Sequence, residues 1–256
     1  MIEVKNLKSG YGNLENATLQ IDSALFKNGR ITGIIGVNSS GKTTLLKTLV
    51  GMLPFTGEIL LDGKNLKAYS DKKRSQEVSY LPQKFPDVNM SVLTLVSHGR
   101  FPCLGFSKIL TEQDKSLVEN ALSLTDLSEK RHKNFMELSG GEKQRAYLAM
   151  VIAQNAKMIL LDEVTTYMDV EHQLEVFKIL KSLCEIGHGI VISSHDIPQC
   201  FSFCDDVLVL KDGKIVAFGE SEKIALESDI LKKNLGVKLG KSNEKNSLYK
   251  YFLCDT

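Results

Sequence analysis

Short apolar runs alternate with helix-compatible segments along most of the chain. Three runs are rich in β-branched residues: "RITGIIG" (30–36), "KMILLD" (157–162) and "HGIVISS" (188–194). Each is followed by a segment whose apolar positions recur with helical spacing. This alternation of strand and helix predicts an α/β fold with a mostly parallel, buried sheet.

Two other segments have the pattern of antiparallel pairs. "GEILLDGKNL" (57–66) carries Asp62-Gly63, and "VLVLKDGKIVAFG" (207–219) carries Asp212-Gly213, each between two strand-like runs. Because Asp-Gly favours the tight turn of a β-hairpin, both segments predict hairpins. The sheet is therefore expected to have an antiparallel β portion.

The strand pattern is lost between about Pro86 and Ala153. "SVLTLVSHGR" (91–100) and "TEQDKSLVENALSLTDL" (111–127) have helical spacing, and Thr111 with Asp114 three positions later predicts a capped helix start. We therefore predict an inserted helical subdomain at 86–153. The α/β core is then formed by 1–85 and 154–220.

Residues 221–256 are predicted to form a C-terminal helix and a tail. The helix is expected from about Ser221 to Leu235, and the polar stretch "GKSNEKNSLYK" (240–250) is expected to be loose. The final segment, "NSLYKYFLCDT" (246–256), suits either a strand packed on the core or a dimer contact. Its pattern does not choose between the two.

Composition narrows the functional classes. The 256 residues are 43% hydrophobic and 25% charged, enough for a sizeable core, and the net charge of +1 lacks the basic excess of nucleic-acid binders. No apolar run reaches the roughly 18 residues of a membrane span, and the N-terminus lacks a signal-peptide core. Five cysteines without a CxxC pair suit a reducing compartment, so a cytosolic location is expected. A metal site at Cys200, Cys204 and His195 is the lesser alternative to ordinary half-buried cysteines.

The stretch "GVNSSGKTT" (36–44) has the composition of a phosphate-binding loop. It follows a predicted strand and precedes the apolar run "TLLKTLV" (44–50), which is the context that this pattern requires. Backbone N–H groups of such a loop surround phosphates, while Lys42 reaches the β and γ oxygens and the Thr43 hydroxyl ligates Mg²⁺. The loop predicts ATP-like triphosphate binding with Mg²⁺.

Further polar residues follow two other predicted strands. "MILLDE" brings Asp162 toward the metal and Glu163 toward the water that attacks the γ-phosphate. "VISSHD" places His195 at the same carboxyl edge of the sheet, where α/β proteins bind ligands. "LSGGE" (138–142) precedes a helix-forming run, so it predicts a second anion site.

These motifs, with Gln83 in "YLPQ" and Asp169, resemble in order and spacing the ABC-type ATPases, from about Ile2 to Gly219. The resemblance implies that catalysis rests on Glu163, His195, Gln83 and Lys42, and that the metal is bound by Thr43, Gln83 and Asp162. It assigns nucleotide contacts to Tyr11, Gly36, Asn38, Ser39, Ser40, Gly41, Lys42, Thr43 and Thr44 of one subunit and to Ser139, Gly141 and Asp169 of the other. Tyr11 would stack on adenine; the alternative is an edge-strand tyrosine.

A subfamily is indicated by two further segments. "LDEVTTYMDVEHQLEVFKIL" (161–180) and "HGRFPCLGF" (98–106), the latter followed by "LTEQD", resemble ATPases that power bacterial uptake of iron-siderophores, haem and vitamin B12. This implies a head-to-tail, ATP-dependent homodimer at the cytoplasmic face of the membrane. Its partners would be integral membrane permease subunits and, indirectly, a substrate-binding protein.

Two other functions are compatible with the motifs. One is a soluble ABC ATPase of an assembly system, such as iron-sulfur assembly, and the other is a nucleotide-sensing module with negligible turnover. Three positions depart from the family: Val164 replaces a proline, Met168 a leucine and Ser39 a glycine. If the backbone at Ser39 is left-handed, serine costs about 1 kcal/mol there.

Overall fold

The computed structural model describes residues 1–12, 14–105, 109–166, 168–242 and 250–254. Within these residues the strands are β1 (Ile2–Ser9), β2 (Leu19–Phe26), β3 (Ile31–Ile35), β4 (Phe55–Leu61), β5 (Lys64–Asn65), β6 (Val78–Leu81), β7 (Met158–Asp162), β8 (Gly189–Ser193), β9 (Asp206–Lys211), β10 (Lys214–Glu220), β11 (Lys238–Lys241) and β12 (Tyr251–Cys254). The α-helices are α1 (Lys42–Leu49), α2 (Asp71–Glu77), α3 (Val92–His98), α4 (Glu112–Leu124), α5 (Gly140–Ala153), α6 (Val170–Glu185), α7 (Ile197–Phe203), α8 (Ser221–Leu226) and α9 (Ser228–Leu235).

The main sheet has six strands in the order β10-β9-β3-β8-β7-β6. Its neighbours are parallel except for β9 and β10, so the predicted mostly parallel sheet is confirmed. Successive residues of each inner strand enter two different cores: Ile31 and Ile35 pack on one face, and Ile34 packs on the other. Because both faces are covered, these strands are continuous apolar runs rather than alternating ones.

A second, antiparallel sheet has the order β2-β1-β4-β5 and covers the core that holds α1. The predicted hairpins join β4 to β5 and β9 to β10. Asp62 and Asp212 each have φ 47°, and Gly63 and Gly213 have φ 80° and 73°. Two successive positive φ angles define the turn that Asp-Gly favours, so both hairpin predictions are confirmed.

Described residues between 86 and 153 form helices and turns, with no strand among them. The predicted cap of α4 is present: the Thr111 side chain accepts the N–H of Asp114, and the Asp114 carboxylate accepts the N–H of Thr111. Arg100 also donates to this carboxylate over 2.9 Å, and both side chains are buried. The pair therefore holds the start of α4 against the segment that follows α3.

The single C-terminal helix predicted from Ser221 to Leu235 is wrong, because the structure has two helices there, α8 and α9. They are separated by Glu227, whose ψ of 60° lies outside the helical region. Asp229 lies in the first turn of α9, where a carboxylate suits the positive end of the helix dipole better than it would suit a helix interior.

After α9 the chain forms an antiparallel pair of strands, β11 and β12. Of the two alternatives for the last segment, the structure shows a strand on the core: Tyr251 is buried, with its ring 6.0 Å from that of Phe201. Strand β11 was not predicted. Most of the stretch expected to be loose, 243–249, lies outside the described residues. In the described part of the chain no helix is long and apolar enough to cross a membrane.

Candidate active site

The carboxyl ends of four neighbouring strands meet at one edge of the main sheet. Loop 36–41 follows β3, Gln83 lies just after β6, Asp162 ends β7, and His195 lies just after β8. A cavity of about 470 Å³ opens at this edge. Its lining residues are Tyr11, Thr18, Asn38, Ser39, Ser40, Gly41, Lys42, Thr43, Thr44, Gln83, Glu163 and His195.

The backbone of the loop leaves the start of α1 open to an anion. Gly41, at the N-cap of α1, has φ 105° and no side chain that could cap the helix. Ser39 has φ 64°, so the left-handed backbone considered from the sequence is present. The buried Ser40 hydroxyl has no hydrogen-bond partner among the described atoms. Uncapped N–H groups together with an unpaired hydroxyl fit a phosphate.

Lys42 is 5% exposed, and its ammonium lies against the loop itself. Its Nζ donates to the carbonyl of Gly36 over 2.8 Å and to that of Val37 over 3.3 Å. Burial lowers the pKa of Lys42, while the nearby carboxylates of Glu163 and Asp162 partly offset that effect. Phosphate oxygens at the loop would give this cation anionic partners in place of neutral carbonyls.

Two of the predicted catalytic side chains meet on a third. Gln83 donates its Nε2 to Glu163 Oε2, and His195 Nε2 contacts Glu163 Oε1. Glu163 is 6% exposed and has φ 55°, and its N–H donates to the Ser193 hydroxyl over 3.0 Å. The carboxylate is thus held at the cavity wall by residues from two different strand ends.

Asp162 is held by two residues that the sequence did not single out. The Ser193 hydroxyl donates to its Oδ1 over 2.6 Å, and the Tyr80 hydroxyl donates to its Oδ2 over 3.3 Å. Burial, and then the Asp162 charge, raise the pKa of Tyr80, so the phenol stays protonated and can donate. Ser193 is paired with Asp162 across β7 and β8, and only the strand order reveals that proximity.

Oxygen donors of the kind that Mg²⁺ prefers are available at this edge: the Thr43 hydroxyl, the Asp162 carboxylate and the Gln83 amide. The donor set therefore fits the cation inferred from the sequence. The alternative site at Cys200, Cys204 and His195 is not supported, since His195 lies at the cavity wall against Glu163. Both thiols are buried against β3, and the part of the chain that the structure describes has no cluster of three His, Cys, Asp or Glu suited to a metal ion.

Tyr11 lies beyond the end of β1 and is 63% exposed. The alternative that it is an edge-strand tyrosine is therefore wrong, because it is not in a strand. Lys47 donates to its hydroxyl over 3.2 Å, with its ammonium 5.5 Å from the ring centroid. The ring stands at the mouth of the cavity, where one face of a planar base could stack on it.

Four predicted nucleotide contacts are absent from the cavity lining: Gly36, which begins the phosphate loop, and Ser139, Gly141 and Asp169. Ser139 caps α5 in a reciprocal box with Glu142, while Gly141 follows in the first turn of that helix. The ammonium of Lys130 and the N–H of Ser139 lower the pKa of Glu142 to about 2. Asp169 caps α6. A single chain therefore does not bring Ser139, Gly141 or Asp169 to its own phosphate loop.

Comparisons with known proteins identify relatives of this chain. A family model described as ABC transporter matches residues 19–166. The petrobactin import ATP-binding protein FpuD of Bacillus anthracis is 38% identical over 233 residues, covering 88% of this chain and 83% of that protein. The ferric enterobactin transport ATP-binding protein FepC of Escherichia coli (strain K12) is 34% identical over 226 residues, 86% of this chain and 82% of that protein. The dimeric structure of MJ0796, a bacterial ABC transporter cassette, has a TM-score of 0.75 at 25% identity, covering 86% of this chain and 99% of that one.

Proposed function

This chain belongs to the ABC transporter family, and on that premise we propose that it is the ATPase subunit of a bacterial importer for an iron chelate or a cobamide. The family binds and hydrolyses ATP. The observation that carries the residue assignment is the convergence of Gln83 and His195 on the buried carboxylate of Glu163, at the wall of the phosphate-loop cavity.

In the proposed mechanism, Glu163 accepts the proton of the water that attacks the γ-phosphate. Lys42 neutralises phosphate oxygens, and His195 turns from Glu163 to the γ-phosphate when ATP is bound. Thr43, Asp162 and Gln83 would hold Mg²⁺, whose positive charge would offset the charge of the phosphate oxygens.

ATP hydrolysis in this proposal needs two copies of the chain. Dimerisation is supported by the dimeric ABC cassette among the structural relatives. Ser139 and Gly141 lie outside their own cavity, so we assign them to the ATP held by the partner's loop. Asp169, at the start of α6, is assigned to the same interface. Two head-to-tail half-sites then make two complete ATP sites.

The transported molecule is proposed from the relatives, since FpuD is a petrobactin importer subunit and FepC a ferric enterobactin one. Membrane permease subunits would dock this chain at the cytoplasmic face, and a substrate-binding protein would deliver the chelate. An iron-sulfur assembly ATPase fits these relatives less well. Co-purification with a membrane permease supports the importer, whereas co-purification with a soluble scaffold would reject it.

The test of the shared site is ATP turnover per subunit against protein concentration. The turnover per subunit of wild type should rise with protein concentration, whereas Ser139→Arg and Glu163→Gln should each be inactive alone. Mixing the two variants should restore part of the rate, because a mixed dimer pairs an intact Glu163 with an intact Ser139. Ser70→Arg is the matched control, since Ser70 also caps a helix, α2, from an exposed position.

A concentration-independent rate that survives Ser139→Arg would reject the shared site. Full turnover in Glu163→Gln would reject the catalytic assignment. The importer role is tested separately, by uptake of ferric siderophore and of cobalamin into cells that lack this protein. Wild type should restore one of them and Glu163→Gln neither.

A further inference from the structure

A closed ring of side-chain hydrogen bonds lies behind the candidate active site. Gln199, which is fully buried, accepts the Thr165 hydroxyl on its Oε1 over 3.2 Å and donates its Nε2 to Gln173 Oε1 over 2.7 Å. Gln173 in turn donates its Nε2 to the carbonyl of Thr165 over 3.1 Å and to that of Met168 over 3.2 Å. Each amide therefore both donates and accepts within the ring.

The ring joins three segments that begin at proposed site residues. Thr165 lies two positions after Glu163, in the loop that ends at Asp169. Gln173 lies in the first turn of α6, which Asp169 caps. Gln199 lies in the first turn of α7. This helix is capped by Asp196, the residue after His195, and the N–H of Gln199 donates to the Asp196 carboxylate over 2.9 Å.

The ring residues have apolar neighbours along the chain. Val164, Val176 and Cys200 belong to the larger core, and each is at most 2% exposed. Burying amides among apolar side chains is costly unless every bond is made, and a fully bonded network then fixes one geometry. The ring therefore fixes the positions of its residues rather than adding much to the stability of the fold.

We propose that Gln199 and Gln173 are positioning residues that fix Thr165 and Met168, which precede Asp169, relative to His195. Closure of the dimer at Asp169 and movement of His195 onto the γ-phosphate are then coupled, because both are attached to the same rigid ring. This inference rests on the proposed roles of Asp169 and His195. Neither glutamine lines the phosphate-loop cavity.

The test uses substitutions that keep shape and remove hydrogen bonds. Gln199→Met and Gln173→Met remove the amides, and Thr165→Val removes the hydroxyl, whereas Thr165→Ser keeps it. Gln154→Met is the matched control, because the Gln154 amide donates to the carbonyl of Ser75 and neither residue lines the cavity. Each variant is assayed for kcat, for ATP affinity and, with Glu163→Gln added, for ATP-dependent dimer formation.

Ring variants should lose about tenfold in kcat and in dimer affinity, the factor expected when a buried hydrogen-bond partner is removed. ATP affinity of the monomer should stay within about twofold of wild type, because the phosphate loop is untouched. Thr165→Ser should keep the kcat and dimer affinity that Thr165→Val loses. The double variant Gln173→Met/Gln199→Met should lose no more of either quantity than each single variant does.

A purely structural role predicts a different result. Ring variants would then lose thermal stability as Gln154→Met does, with kcat per ATP-binding site and dimer affinity unchanged, and that outcome would overturn the inference. If Gln199→Met does not fold, the Thr165→Val and Thr165→Ser pair decides the question. Failure of the proposed function is recognised separately, by full turnover in Glu163→Gln alone.

Discussion

Replacing Gly213 by alanine should damage the phosphate loop from outside the cavity. The hairpin turn at Gly213 packs on that loop: its N–H donates to the carbonyl of Ser40 over 3.0 Å, and its carbonyl accepts the N–H of Gln20 over 2.8 Å. A Cβ at Gly213 would lie 1.8 Å from the carbonyl oxygen of Thr18, a backbone atom directly before β2.

The other Asp-Gly hairpin gives a matched control. Gly63 also has a left-handed φ, yet no described atom lies within 4 Å of where its Cβ would stand. Gly63→Ala should therefore cost only the backbone strain, about 1–2 kcal/mol. Gly213→Ala adds a steric clash of about 1–3 kcal/mol, the usual cost of overpacking. The effect of alanine on the unfolded chain is the same at both positions and cancels in the comparison.

The assay is thermal unfolding of both variants, followed by titration with a fluorescent ATP analogue. At this chain length the extra cost corresponds to about 2–12 °C in Tm beyond the loss in Gly63→Ala. Gly213→Ala should also weaken nucleotide binding, because Ser40 and Thr18 must shift, whereas Gly63→Ala should not. Equal losses of Tm in the two variants, with equal nucleotide affinity, would refute the argument.

Three further changes have directions fixed by the structure. Ser193→Ala removes a hydrogen bond to Asp162, so it should lower the free energy of unfolding by about 1–3 kcal/mol and raise the Mg²⁺ concentration that gives half-maximal ATPase activity. An unchanged Mg²⁺ requirement would count against the proposed role of Asp162. The Lys130 ammonium and the N–H of Ser139 lower the pKa of Glu142. The stability that the ionised Glu142 carboxylate contributes is therefore present above pH 4.5 and is lost as the pH falls toward 2. The Tm gap between wild type and Glu142→Gln should therefore narrow over that range, and a gap independent of pH would contradict the ion pair. Ser39→Gly should be more stable than Ser39→Ala by about 1 kcal/mol, because glycine adopts the left-handed backbone seen at Ser39 without strain; equal Tm values for the two variants would contradict that strain.

Features that depend on local pattern could be predicted from the sequence. The capped start at Thr111 and the two Asp-Gly turns need only neighbouring residues, and both are present. The parallel sheet could be predicted because its strands are apolar throughout, which marks burial on both faces. The break at Glu227 was missed because the apolar positions on either side of it still fit one helical period.

Supporting residues of the site could not be predicted from the sequence. Tyr80 and Ser193 contact Asp162 from the strands on either side of β7. The order of strands in the sheet cannot be predicted from the pattern of any one segment. The partnership of Gln173 with Gln199 likewise joins two helices 26 positions apart. A motif supplies the groups that do chemistry, whereas the groups that hold them are ordinary residues whose importance arises only from contact.

The fold of a single chain does not explain why two positions of α5 are glycine. Gly140 and Gly141 are helical, so neither needs a left-handed backbone, and no described atom lies within 4 Å of a Cβ built at either. Glycine in a helix costs up to about 1 kcal/mol relative to alanine, so the fold alone would favour another residue at both. The open backbone at this helix start is explained if an anionic group approaches it from outside the chain. In the proposed head-to-tail dimer that group would be the γ-phosphate on the partner's loop, so the glycine pair is itself an argument for the proposed shared site.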